Sequence, residues 1–206
     1  MMVFLFVAVL YMFQVQKAVG DYQDSRDALY QELNATFGDK FQEWEMELDH
    51  DLTIKFTNPE VLFDYQSAEI TPYFAVILSE FIPQYLAILT KDEYKDTISE
   101  VRIEGHTADW DDYLYTIQLS QQRAYSVLAF ALNSGAYASL PPEEQSEVKF
   151  WLTANGLGNG RAIDVDGNYV HESGKTVSSH SRRVEFRIVT RNEEIIKEVL
   201  NNTNFE

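Results

Sequence analysis

The stretch VRIEGHTADWDDYLYTIQLSQQRAYSVLAFAL, Val101 to Leu132, constrains this chain more than any other. It opens on an alternating run, Val101 and Ile103 against Arg102 and Glu104, the period of a half-buried strand. Gly105 ends that strand. A polar loop follows from His106 to Asp112, and then Leu119, Ala124, Val127, Leu128 and Ala131 fall near one face of a helix. Ser120 and Arg123 are three apart and therefore neighbours on that helix. A strand, a Gly-punctuated loop and a helix with an Arg close to its start make a device suited to holding an anion.

This stretch resembles the OmpA/MotB-type peptidoglycan-binding domain, whose pattern runs GHTD, a spacer with a Tyr-Asn pair, then LSxxRA. The matching residues are Gly105, His106, Thr107, Tyr115, Leu119, Ser120, Arg123 and Ala124, and the interval from Thr107 to Leu119 needs no gap. Ala108 stands where the family has Asp, with Asp109 one residue later, and Thr116 stands where the family has Asn. The resemblance implies that Arg123 takes the carboxylate of the diaminopimelate residue in the wall's stem peptide and that Asp109 takes its amine. Asp111 and Asp112 are further candidates for the amine, and Thr107, Tyr115, Thr116 and Leu119 belong to the same peptide-binding set.

Two more segments carry the resemblance in the right order. VLFDYQSAEITPYF, Val61 to Phe74, is similar to the family's passage into its first helix, and SHSRRVEFRI, Ser179 to Ile188, to its NRRVEF motif with Ser181 in place of Asn. The second implies Arg182 and Arg183 as supporting site residues; two charges flanking an exposed strand are the alternative. The fold implied is α+β, an OmpA-like domain over 49–190 in the order β-α-β-α-β-β, a mixed sheet with helices packed on one face.

The residues support that order independently. Leu52, Ile54 and Phe56 alternate as a strand, Val61 to Phe63 read as extended, and Thr71-Pro72 opens a helix to about Leu89 with a kink at Pro83. Ser139 to Glu144 read as a cap followed by a short helix to about Phe150, a strand covers Trp151 to Gly158, and the last strand runs Arg182 to Thr190. The tail, 191–206, has Ile195, Ile196 and Val199 on one side of a short helix.

The first 16 residues are almost wholly apolar, too few alone for the roughly 20 a bilayer crossing takes. The reading preferred is the C-terminal part of a transmembrane helix; a cleaved secretory signal and a buried helix are the alternatives. From 17 to 48, Val19, Tyr22, Leu29, Leu33, Phe37, Phe41, Trp44 and Leu48 recur at three and four, an amphipathic helical connector. It either packs on the domain or pairs with itself as a stalk.

An apolar segment, a helical connector and an OmpA-like domain together resemble a MotB-type stator subunit, most of all the MotB-like subunits of Zorya anti-phage defence systems. That resemblance implies a homodimer within a ring of MotA-like channel subunits, driven by ions, single-pass in the bacterial inner membrane with the C-terminal domain in the periplasm. Such subunits relay the ion through a transmembrane Asp, and Met1 to Phe13 contain no acid, so the relay lies upstream or this chain anchors without conducting. A cleaved periplasmic wall-binding adaptor and an OmpA-like domain repurposed for protein binding are the competing readings.

Other functions find little in the sequence. With 33 acidic against 16 basic residues, a formal charge of −17, the chain is a poor partner for nucleic acid. It has no Cys, which removes disulfides and thiolate chemistry. Gly156 to Gly160 lacks dinucleotide-loop spacing, and Asp164 to Asn168 lacks a calcium-loop ligand set and reads as a tight turn. His50, His106, His171 and His180 are scattered, so neither a catalytic set nor a metal or cofactor site is expected; His106 reads as a structural histidine bonded within its loop.

Overall fold

The computed structural model describes residues 2–108 and 112–191. A single helix, α1 (Met2–Phe37), leads into a short strand, β1 (Met46–Leu48), and its antiparallel neighbour β2 (Thr53–Phe56). A one-turn helix α2 (Pro59–Leu62) precedes α3 (Pro72–Leu89), then β3 (Ile98–Gly105) and α4 (Tyr113–Leu132). After the one-turn α5 (Gly135–Ala138) come α6 (Pro142–Trp151), β4 (Leu152–Gly156), a one-turn α7 (Val170–Ser173) and β5 (Val184–Thr190). The sheet has the order β1-β2-β5-β3-β4, with β3 and β4 parallel and the other pairs antiparallel. This is the mixed α+β fold that the sequence led us to expect.

Two local expectations are corrected. The connector helix was expected to reach Leu48; it stops at Phe37, where Gly38 opens a short turn, and Met46 to Leu48 pair with Phe56 to Ile54 as an added edge strand. Val61 and Leu62 are helical rather than extended, because Pro59 starts α2 with its φ already set and no N–H to lose. Only Phe63 keeps an extended pairing, with Ile70.

Hydrophobic burial explains both the sheet and the end of α1. Phe56, Phe81 and Phe186 meet edge to face at 5.2, 5.0 and 5.9 Å between centroids, the geometry aromatic quadrupoles favour. Phe37 joins them at 4.9 Å from Phe81, and Leu29 and Leu33 are fully buried in the same core. The second half of α1 is thus a core helix of the domain. Towards its start the helix exposes Phe6, Val9, Leu10, Tyr11, Met12 and Phe13.

Helix α3 begins where Thr71 accepts from the Phe74 N–H at 3.1 Å and Pro72 takes the first position. It continues through Pro83 to Leu89. Among the described residues α3 is the one helix long and apolar enough to cross a membrane by length and composition, but half of it is buried in this domain, so it is a core helix. The calcium-like string Asp164 to Asn168 is a tight turn: Asp164 Oδ1 accepts from the Asp166 and Asn168 N–H groups, and Gly167 sits at φ +82°. The tail beyond Arg191 lies outside the described residues.

Candidate functional site

The central stretch folds as a strand and a helix stitched together at one end of the sheet. Gly105 and Gly156 face each other across β3 and β4, and α4 crosses directly over them. A Cβ on Gly156 would stand 2.6 Å from the Gln121 Cα, and one on Gly105 would fall onto the Ser120 carbonyl. The absence of two side chains lets the helix backbone touch the sheet. Gln121 then bonds the strand edge, donating to the Ala154 carbonyl at 3.0 Å and accepting from the Gly156 N–H at 2.7 Å.

Those contacts fix the loop residues that the sequence singled out. Thr107 is fully buried, and its N–H donates to the Gly158 carbonyl at 3.0 Å. Ser120, also buried, accepts from the Gly158 N–H at 2.9 Å. Thr116 donates to the Tyr113 carbonyl at 2.8 Å and its hydroxyl lies 3.4 Å from Asn159 Oδ1. Leu119 is buried, while Tyr115 is exposed on the first turn. Asp112 is the N-cap of α4, its Oδ1 accepting from the Leu114 and Tyr115 N–H groups at 3.0 and 3.2 Å. Asp109 and Asp111 lie outside the described residues.

Asp112→Ala is expected to lower stability by about 1 kcal/mol through loss of the cap, and Asp112→Ser to restore most of it. Urea midpoints of the three proteins measure this; equal midpoints would remove the cap from the account.

Arg123 enters from the third turn of α4. Only 7% exposed, it donates from Nε to the Ser67 carbonyl at 2.8 Å and from Nη2 to the Asp64 carbonyl at 3.4 Å, with its guanidinium 5.0 Å from the Phe63 ring centroid. Gln66, in the turn it grips, has φ +54°, a conformation a Gln side chain disfavours. Arg123, Arg182 and Arg183 meet with His106, Leu62 and Phe63 around a recess of about 10 Å³, room for roughly one water. A ligand must therefore meet these cations at the rim.

The last strand starts at Val184 rather than at Arg182, and the two arginines that lead into it differ. Arg183 is buried, its Nε donating to Glu185 Oε1 at 2.5 Å and its Nη1 to the Ser181 carbonyl at 3.3 Å. Arg182 is partly exposed at the mouth. Behind the recess, the His106 ring lies 3.7 Å from Glu185 and 3.9 Å from Glu104, and neither ring nitrogen has a hydrogen-bond partner. The hydrogen bond by which His106 holds its loop is made by its backbone N–H, which donates to the Arg183 carbonyl at 3.0 Å. Burial lowers the His106 imidazole and raises the Glu104 carboxyl, to which neighbouring Glu185 adds. Burial would raise Glu185 too, but His106 and Arg183 hold it well below the usual carboxylate range.

Sequence reasoning missed Phe63, Asn159, Glu104 and Glu185. Phe63 and Ser67 stand in a segment already matched as a helix entry, but nothing in their spacing ties them to a helix about 60 residues away.

A five-stranded mixed sheet with α4 laid across a glycine pair and an arginine recess at its edge defines an OmpA/MotB-like domain. The crystal structure of a MotB-like protein from Desulfovibrio vulgaris shares the fold, with a TM-score of 0.51 at 20% identity over 82% of this chain and 93% of that one. No protein-family model matches the chain. The Zorya protein ZorB of Escherichia coli (strain Crooks) is 32% identical over 216 residues, covering 97% of this chain and 87% of that protein. The chain belongs to the ZorB family.

Proposed function

We propose that this chain is the membrane-anchored, cell-wall-binding subunit of an ion-driven, MotA/MotB-like motor of the Zorya type. It is a force-coupling protein rather than an enzyme. The observation that carries the reading is Arg123, the LSxxRA arginine, brought by the fold into one recess with Arg182 and Arg183. A carboxylate reaching this rim from the stem peptide meets Arg123 and Arg182, with Arg183 held behind them by Glu185, at a mostly buried surface where charge is weakly screened. Asp109, two residues after Thr107 in the sequence, takes the amine of the diaminopimelate residue.

The exposed apolar face at the start of α1 supports the anchor, since a soluble helix rarely shows six neighbouring large apolar side chains to water. At 1.5 Å per residue, α1 spans roughly 54 Å, enough to enter a bilayer at one end and pack on the domain at the other. The chain sits in the inner membrane with its domain in the periplasm, paired with a second copy and seated in a ring of MotA-like subunits.

Co-sedimentation of the full chain, in mild detergent, with isolated peptidoglycan sacculi tests the wall-binding reading. Folded protein left in the supernatant would overturn it and favour a domain turned to protein binding. For the anchor, the full chain is expected to stay in the membrane pellet after an alkaline carbonate wash. Release by that wash would instead fit a peripheral adaptor.

A further inference from the structure

The geometry points to a site for a first-row divalent cation, of the Zn²⁺ type, formed by Glu104, His106 and Glu185 where β3 and β5 pair. Glu104 and Glu185 stand opposite each other on β3 and β5, and His106 follows Glu104 by two residues, so alternation turns all three the same way. Their ligand atoms lie within 4.8 Å of one another, and all three residues are buried. His106 Nε2 is 3.7 Å from Glu185 Oε2 and 3.9 Å from Glu104 Oε2. Two ligands of one tetrahedral Zn²⁺, each about 2.0–2.1 Å from the metal, stand roughly 3.3 Å apart, so the two His106 pairs need to close by about half an ångström, and the two carboxylates turn toward the ion by rotation of their own side chains.

A second observation points to a ligand there. His106 is 2% exposed, and neither ring nitrogen has a hydrogen-bond partner, though buried polar atoms are nearly always satisfied. Two carboxylates directly across an antiparallel pair also repel. A cation between them relieves both: it accepts the Nε2 lone pair, with the ring proton on Nδ1, and neutralises the opposed acids. The neighbouring arginine is placed to help rather than compete. Arg183 Nε holds Glu185 Oε1 and leaves Oε2, the oxygen nearer His106, for the metal. One imidazole and two carboxylates suit Zn²⁺, Mn²⁺ or Co²⁺ better than Ca²⁺, which takes six or more oxygens.

The test uses the full chain in detergent, stripped with chelator and titrated with Zn²⁺ by calorimetry. One equivalent is expected to bind, with affinity reduced at least about tenfold in His106→Gln and in Glu104→Gln. Circular dichroism of each apo variant checks that it is folded. Co²⁺ in the parent protein gives a readout independent of the variants: visible d–d absorption of a four- or five-coordinate nitrogen–oxygen site. Failure of Zn²⁺ to bind, undiminished binding in a folded His106→Gln, or a Co²⁺ spectrum no different from the aqueous ion would overturn the site. Undiminished binding would assign the metal to the acidic surface of a chain with a formal charge of −17.

Discussion

Arg123→Ala is expected to abolish sedimentation with sacculi and to lower stability by about 2–4 kcal/mol, because two carbonyl bonds to a charged donor disappear in a mostly buried place. Those carbonyls, of Asp64 and Ser67, flank Gln66 at φ +54°, so the turn loses the clamp that offsets its strain. The same loss uncovers Phe63, on which the guanidinium lies. Arg123→Lys keeps the charge but presents a single ammonium instead of a planar fork, and it is expected to recover less than half of the stability. Binding and folding are separated by Leu33→Ala, which opens a cavity in the core at a similar cost, far from the arginines in sequence. Sedimentation by folded Leu33→Ala but not by folded Arg123→Ala is the expected pair of results. Sedimentation of both would remove Arg123 from the wall contact while leaving its structural bonds in place.

Gly156→Ala is expected to cost about 3 kcal/mol or more, the upper range for overpacking, because the obstruction is helix backbone rather than a movable side chain. The new methyl would crowd the Gln121 Cα at 2.6 Å and its Cβ at 2.7 Å. Relief requires α4 to lift from the sheet. That breaks the two Gln121 bonds to β4 and the Ser120 bond to Gly158, and it carries Arg123 away from the 64–67 turn. Gly135→Ala is the control: a Cβ there meets nothing within 4 Å, and its midpoint is expected to stay within about 0.5 kcal/mol of the parent. Urea unfolding of the three proteins decides the matter, and a Gly156→Ala midpoint equal to the parent's would mean that α4 does not sit on the glycine pair.

The elements legible in the sequence were those with strong periodicity and local punctuation. Val101 to Gly105, the helix through Leu119 to Ala131 and the one from Pro72 to Leu89 announce themselves by alternation, by a 3.6-residue stripe, and by a Thr-Pro start; the strand's first residues, Ile98 to Glu100, had no such signal. The weak signals lay where tertiary packing overrode the local pattern. Trp44 to Leu48 continued the apolar spacing of α1, yet pairing of Met46 to Leu48 with β2 made a strand of that segment. The stripe itself could not say whether Leu29, Leu33 and Phe37 face a second helix or a sheet; the aromatic cluster around Phe81 supplies that answer.

For the site the division is similar. The inventory was legible in the chain: GHT and LSxxRA on one strand-loop-helix stretch, and the Arg-Arg pair ahead of the last strand. What those residues do to one another follows from packing between elements. It turned Arg123 onto carbonyls 56 and 59 positions away, locked Arg183 onto Glu185, and set Glu104 opposite Glu185 with His106 beside them. The physical reason is that spacing along a chain encodes which side chains share a face of one element. Contacts between elements depend on sheet order and register, which are set by burial of the whole core.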